Sequence, residues 1–164
     1  MADGFPTYDR VHSLLRYDPD NGKLFWRVRM SNRVKAGHQA GSVNRSGYVQ
    51  IGFDGHRFWA HRLVFFMQTG NWPTEEIDHI DGDKVNNTWS NLRECSRKEN
   101  AQNRKNVPST NNLGILGVRR VGSKFRSSIE VDGKYMHLGY FSSAEEASAA
   151  YLSAKSSFHP GYVN

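Results

Sequence analysis

The spacing of apolar side chains changes several times along the 164-residue chain. Val11, Leu14 and Leu15 recur at helical spacing after Thr7, a good N-cap residue, which predicts a short opening helix. YDPDNGKLFW at 17–26 reads as a strand, a turn and a second strand. YVQIGF at 48–53 and HRFWA at 56–60 flank Asp54-Gly55, a dipeptide suited to a two-residue hairpin turn at positive φ. HRLVFFMQTG at 61–70 carries Leu63, Val64 and Met67 toward a core and ends at Gly70, with Trp72-Pro73 barring continuation, so a helix is expected there. Ser96 followed by Glu99 predicts a capping box and a helix of about ten residues, with Asn100, Asn103 and Arg104 on one face.

After the polar stretch NVPSTNN at 106–112 the period becomes two. GVRRV at 117–121, KFRSSIEV at 124–131 and KYMHLGYF at 134–141 predict three strands joined by tight turns at Gly122-Ser123 and Asp132-Gly133. In the middle strand Phe125, Ser127, Ile129 and Val131 point one way, and Lys124, Arg126, Ser128 and Glu130 the other. Ser143 with Glu146 opens a helix to about residue 157, and its stripe of Ala147, Ala150, Tyr151 and Ala154 can lie close against a sheet. A three-stranded sheet with one covered and one open face follows.

Charge adds a partner to this picture. With 22 Lys+Arg against 16 Asp+Glu the formal charge is +6, spread along the chain, and a pI near 9.6 points toward nucleic acid. Cys95 is the lone cysteine, which excludes an internal disulfide and a Cys-rich zinc site and fits a reducing cytoplasm. MADGFPTYDR is not a secretory signal, and LVFFM at 63–67 is too short to span a bilayer, so a soluble protein without membrane contact is expected.

The densest chemistry lies in IDHIDGDKVNNTWSNLRECSRKEN at 77–100. Asp and Asn oxygens suit Mg²⁺, which needs one or two protein ligands beside water and substrate phosphate. A calcium-loop reading fails, because Gly82 as the loop glycine would place Ile77 and Thr88 at ligand positions. Zinc finds only His61, His79 and Cys95 nearby, without ligand pairs at its usual spacing. Hydrolysis of a phosphodiester needs an activated water and a neutralised leaving oxygen. A neutral histidine whose second ring nitrogen is held by an asparagine oxygen is a natural base. Asp78 and His79 are adjacent, so both serve one site only if the strand ends or distorts there. Asp81 and Asp83 read as turn formers, His61 as a structural hydrogen-bonding residue, and Trp59, Trp72 and Trp89 as core.

Asp78-His79, Asn91 twelve positions after the histidine and Asn100 nine further on resemble the HNH endonucleases of the ββα-metal fold, in the branch that ends in asparagine. WAHRLVF, GNWP, DHIDGD, NLRE, ENAQNR, YDPDNGKLFWR and AGSVNRSGY are similar to phrases of phage-encoded HNH homing endonucleases. The resemblance implies His79 as general base and Asn91 as the residue orienting it. It implies Asp78 and Asn100 as ligands of Mg²⁺, with Mn²⁺ as substitute, and a 5′-phosphate product. Thr88 departs from the arginine common in relatives. Arg93, Arg97, Lys98, Arg104 and Lys105 are expected at DNA phosphates.

GVRR, KFRSSI, HLGYF and the Ser-x-x-Glu helix resemble the AP2 DNA-binding domain, which implies that Arg119, Lys124 and Arg126 meet the major groove. The expected protein is α+β: an N-terminal β-rich region (1–56), an HNH nuclease (57–106), a linker (107–113) and an AP2-like domain (114–164). Its expected substrate is double-stranded DNA and its expected place the cytoplasm, that of the host if phage-encoded; no protein partner is implied. The alternatives are a DNA-binding regulator with a decayed nuclease site and an RNA-cleaving toxin.

Overall fold

The structure, a computed structural model, describes residues 5–103, 105, 107–108 and 111–163. The chain divides into two compact units, Met1–Cys95 and Ser96–Asn164. Its elements are mixed α and β, with several small antiparallel sheets and four α-helices among the described residues.

The first unit opens with α1 (Tyr8–Leu14), where the Thr7 side chain accepts from the Arg10 N–H as the sequence predicts. Strands β1 (Leu15–Asp18) and β2 (Lys23–Trp26) form a hairpin, and β3 (Ser42–Val43), β4 (Val49–Phe53) and β5 (His56–Trp59) form a three-stranded sheet. At the β4–β5 turn Asp54 and Gly55 both take positive φ, 52° and 78°, the geometry that matches strand twist. Helix α2 (Ala60–Thr69) stops where Gly70 turns left-handed at φ 75°. β6 (Glu76–His79) pairs with β7 (Leu92–Cys95), and a 3₁₀ turn at Trp89–Asn91 leads into β7.

One apolar cluster runs from Val11 and Leu15 through Ile51, Leu63 and Val64 to Ile77 and Leu92, so residues on both sides of position 56 share a core. Trp72 packs against that cluster, with its ring stacked on Phe66 at 4.4 Å. Trp89, expected in the core, is instead exposed, because it begins the 3₁₀ turn at the surface.

In the second unit, the capping box of Ser96 and Glu99 opens α3 (Arg97–Gln102). That helix has six residues where about ten were expected, because Asn103 leaves helical geometry with ψ near 2° and caps it. Strands β8 (Val118–Val121), β9 (Lys124–Val131) and β10 (Lys134–Phe141) lie in the order β10-β9-β8. Helix α4 (Ala144–Phe158) covers one face, opened by the predicted Ser143–Glu146 capping box. Val118, Ser127, Ile129 and Ala147 are buried, while Lys124, Arg126 and Glu130 are exposed, which is the alternation expected of β9. A register shift in β10 between His137 and Gly139 keeps Tyr140 beside His137, their rings 4.9 Å apart. No helix among the described residues is long and apolar enough to cross a membrane.

Candidate active site

His79 is the last residue of β6, opposite Leu92 of β7, and Asp78 stands opposite Arg93. Strand alternation sends neighbouring side chains to opposite sides, and the backbone leaves the strand directly after His79. There the Gly82 N–H bonds the His79 carbonyl at 2.8 Å and the Ile80 N–H bonds the Asn91 carbonyl at 2.9 Å. Both Asp78 and His79 are buried.

The imidazole Nε2 of His79 lies 3.1 Å from Oδ1 of Asn87. Asn87 is 2% exposed and its own Nδ2 donates to the Val85 carbonyl at 3.1 Å. The amide oxygen at Nε2 is that of Asn87, while the resemblance implied Asn91 as the orienting residue. Asn91 acts on the loop between the strands: its Oδ1 accepts from the Asp81 N–H at 2.9 Å, and its Nδ2 donates to Asp81 Oδ1 at 2.9 Å and to the Asn86 carbonyl at 2.8 Å. The side chain leaves the end of the 3₁₀ turn, from which it meets the loop backbone. Asn87 is the second residue of the run Asn86-Asn87, and nothing local in the sequence separates the two.

Asp81 organises that loop, as a turn former should. It also accepts from the Asp83 N–H at 2.7 Å and from Asn86 Nδ2 at 2.7 Å. Burial pushes its carboxyl up, but the donors from Asn86, Asp83 and Asn91 outweigh that and hold it below the usual carboxylate range.

Arg93, expected at a phosphate, faces Asp78. Its Nε and Nη2 donate to Asp78 Oδ2 at 3.1 and 2.8 Å, and the cross-strand register explains the pairing. Asp78 brings a hard oxygen donor. No group of three or more His, Cys, Asp or Glu side chains suited to a metal occurs among the described residues. A carboxylate oxygen of this kind suits a hard cation that keeps most of its waters and does not suit zinc. Asn100, the second expected ligand, lies on α3 and is half-buried.

His61 was expected to make a structural hydrogen bond, yet its buried Nδ1 has no hydrogen-bond partner among the described residues. The ring sits among other rings: edge-on to His79 at 5.2 Å, near Tyr48 at 5.4 Å and parallel to Trp59 at 6.3 Å. Burial first, then the charges of His79 and Arg62, push its pKa down to about 3, so it is neutral at pH 7.

Arg97, Lys98 and Lys105 are exposed, and Lys98 pairs with Asp132 at 2.7 Å; Arg104 lies outside the described residues. Arg119, Lys124 and Arg126 are exposed, with Arg119 and Arg126 directly opposed across β8 and β9.

Residues 58–102 match the family model described as HNH endonuclease, a span that holds the end of β5, then α2, β6, the loop, β7 and α3. Over residues 58–102 the chain is thus similar to the HNH endonucleases. A viral relative, an uncharacterized HNH endonuclease of Acanthamoeba polyphaga mimivirus, is 27% identical over 111 residues, covering 66% of this chain and 57% of the relative. The aligned part thus spans little more than half the length of that relative. No solved structure matches the chain significantly. At the level of the HNH domain, the expectation of a nuclease agrees with both matches.

Proposed function

We propose that the protein is a metal-dependent endonuclease that hydrolyses phosphodiester bonds of duplex DNA. The observation that carries this reading is His79, placed at a strand end beside Asp78 inside the HNH segment, with its Nε2 engaged by an amide oxygen. An acceptor at Nε2 makes that nitrogen the protonated one and Nδ1 the basic one. Nδ1 takes the proton from the attacking water. Asp78 and Asn100 would hold Mg²⁺, for which Mn²⁺ could substitute. The chemistry such a cation would supply is neutralisation of charge at the phosphate and at the departing 3′ oxygen, with a 5′-phosphate as product. Arg93 holds the Asp78 carboxylate in place from the neighbouring strand.

Duplex binding is assigned to the open face of the β8–β10 sheet, in the manner of an AP2 domain. Arg119, Lys124 and Arg126 supply phosphate and guanine contacts there. Such a protein fits a phage-encoded homing endonuclease at work in the host cytoplasm.

The test is incubation of supercoiled plasmid with the purified protein, with Mg²⁺ and with EDTA. Nicking or linearisation that needs Mg²⁺ and disappears in His79→Ala is expected. Tight plasmid binding with no cleavage in either Mg²⁺ or Mn²⁺ would favour the regulator with a decayed site. Cleavage confined to RNA would favour the toxin.

A further inference from the structure

We propose that Asn87, braced by the N-terminal β1–β2 hairpin through Tyr17, is the positioning residue that sets the tautomer and orientation of the His79 imidazole. The proposal rests on the nuclease reading only for its kinetic consequences; the geometry stands apart from it.

The orientation of the Asn87 amide follows from its two ends. Nδ2 faces the Val85 carbonyl at 3.1 Å, and only a nitrogen can donate there, so the end facing His79 is oxygen. Oxygen only accepts. Nε2 of His79 must then carry the proton, and Nδ1 is the basic nitrogen.

An amide can impose a tautomer only if it is itself held. The Asn87 N–H bonds the Val85 carbonyl at 3.1 Å, and the Asn87 carbonyl accepts from the Tyr17 hydroxyl at 3.1 Å. Burial pushes the Tyr17 phenol up, so it remains a donor at neutral pH. Beside it, Gly22 in the β1–β2 turn, at φ +69°, lies so close to the Asn87–Thr88 peptide that no side chain would fit. A second N-terminal segment grips the same loop further on: Lys84 Nζ donates to the Ser46 carbonyl at 3.0 Å and lies 4.5 Å over the Tyr48 ring. Tyr17, Gly22, Ser46 and Tyr48 all precede the HNH segment at 58–102. The N-terminal region is thus part of the machinery that aims the base, a task that charge and composition did not indicate.

The test combines the ring ¹⁵N shifts of His79 with single-turnover plasmid cleavage. The wild type should show the Nε2–H tautomer. Asn87→Ala should give mixed tautomers and cleavage slower by about tenfold or more, with DNA affinity changed less than about twofold. Asn87→Asp, which keeps an oxygen at Nε2 but loses the donor to the Val85 carbonyl, should recover the Nε2–H tautomer in part. Tyr17→Phe, which removes one hydroxyl, should shift the tautomer in the same direction as Asn87→Ala and slow cleavage about threefold. An Nδ1–H tautomer in the wild type, or an undisturbed Nε2–H tautomer in Asn87→Ala, overturns the proposal. Tyr17→Phe with wild-type shifts and rate overturns the part played by the hairpin. A wild type that shows the expected tautomers but cuts nothing sinks the nuclease reading and leaves the positioning role standing.

Discussion

The guanidinium of Arg93 closes on a single carboxylate oxygen of Asp78, with Nε at 3.1 Å and Nη2 at 2.8 Å. Asp78 is almost wholly buried and Arg93 about a quarter exposed, so the pair is neither a surface ion pair nor a fully desolvated one. Removing one partner of a buried pair costs about 3–5 kcal/mol, and the partial exposure of Arg93 lowers that here to about 1–3 kcal/mol. Arg93→Ala should lose that much in urea unfolding. Because the carboxylate left behind is the proposed cation ligand, Mg²⁺ should restore part of the loss in Arg93→Ala and much less in the wild type. Equal Mg²⁺ responses in the two proteins would remove Asp78 from the metal site.

His61 gives a pH signature. Its folded pKa, near 3, lies below its ordinary 6.5, so the unfolded chain binds the extra proton between those values. The stability held by neutral His61 is complete above about pH 6.5 and is lost as pH falls toward 3, at up to about 1.4 kcal/mol per pH unit. His61→Phe keeps a ring among Tyr48, Trp59 and His79, removes the unpartnered Nδ1, and should flatten that slope in urea titrations at several pH values. A slope unchanged from wild type would mean that His61 is solvated in the folded protein.

What was legible in the sequence was local. The alternation of β9, both capping boxes and the Asp-Gly turns depend on residues within a few positions of one another, and each stands where expected. His79 and Asp78 were legible as chemistry, and their segment matches the family their spacing resembles. The pairings were not. Whether Asn86, Asn87 or Asn91 meets the imidazole is decided by how the loop folds between two strands, and that fold is held partly by residues some 70 positions upstream. Arg93 looked like any basic residue beside a nuclease motif until the β6–β7 register set it opposite Asp78. The same limit explains His61, whose hydrogen-bonding capacity is evident in the residue type while its enclosure by rings is a tertiary fact.

Arg119 and Arg126 face each other across β8 and β9, both exposed. Like charges directly opposed in a sheet cost stability, and an anionic partner removes that cost. Arg126→Ala should therefore move two measurements in opposite directions. The thermal midpoint should rise slightly, by an amount equivalent to about 0.2–1 kcal/mol. Duplex affinity should fall, and the slope of log K against log salt should shrink by about 0.9 for the lost phosphate contact. An unchanged salt slope in Arg126→Ala and in the Arg119→Ala, Arg126→Ala double variant would show that this face does not bind the DNA backbone.

Asn91 joins Asp81 to the Asn86 carbonyl, so its amide nitrogen stands between two acceptors at 2.9 and 2.8 Å. Asn91→Ala removes those bonds and leaves a gap that water can fill in this partly exposed loop. Asn91→Asp keeps the size but sets a carboxylate oxygen against the Asp81 carboxylate and the carbonyl, replacing attraction with repulsion. The isosteric change should therefore be the more damaging, by about 1–2 kcal/mol in urea unfolding beyond the loss in Asn91→Ala. Acid should narrow that difference, since protonating either carboxyl restores a donor between the two. Cleavage should fall in both variants through the loop that carries Asn87, and His79 should lose its single tautomer in both. If Asn91→Ala cut slowly while His79 kept its wild-type ring shifts, Asn91 would touch the reaction directly and its part in holding the loop would be secondary.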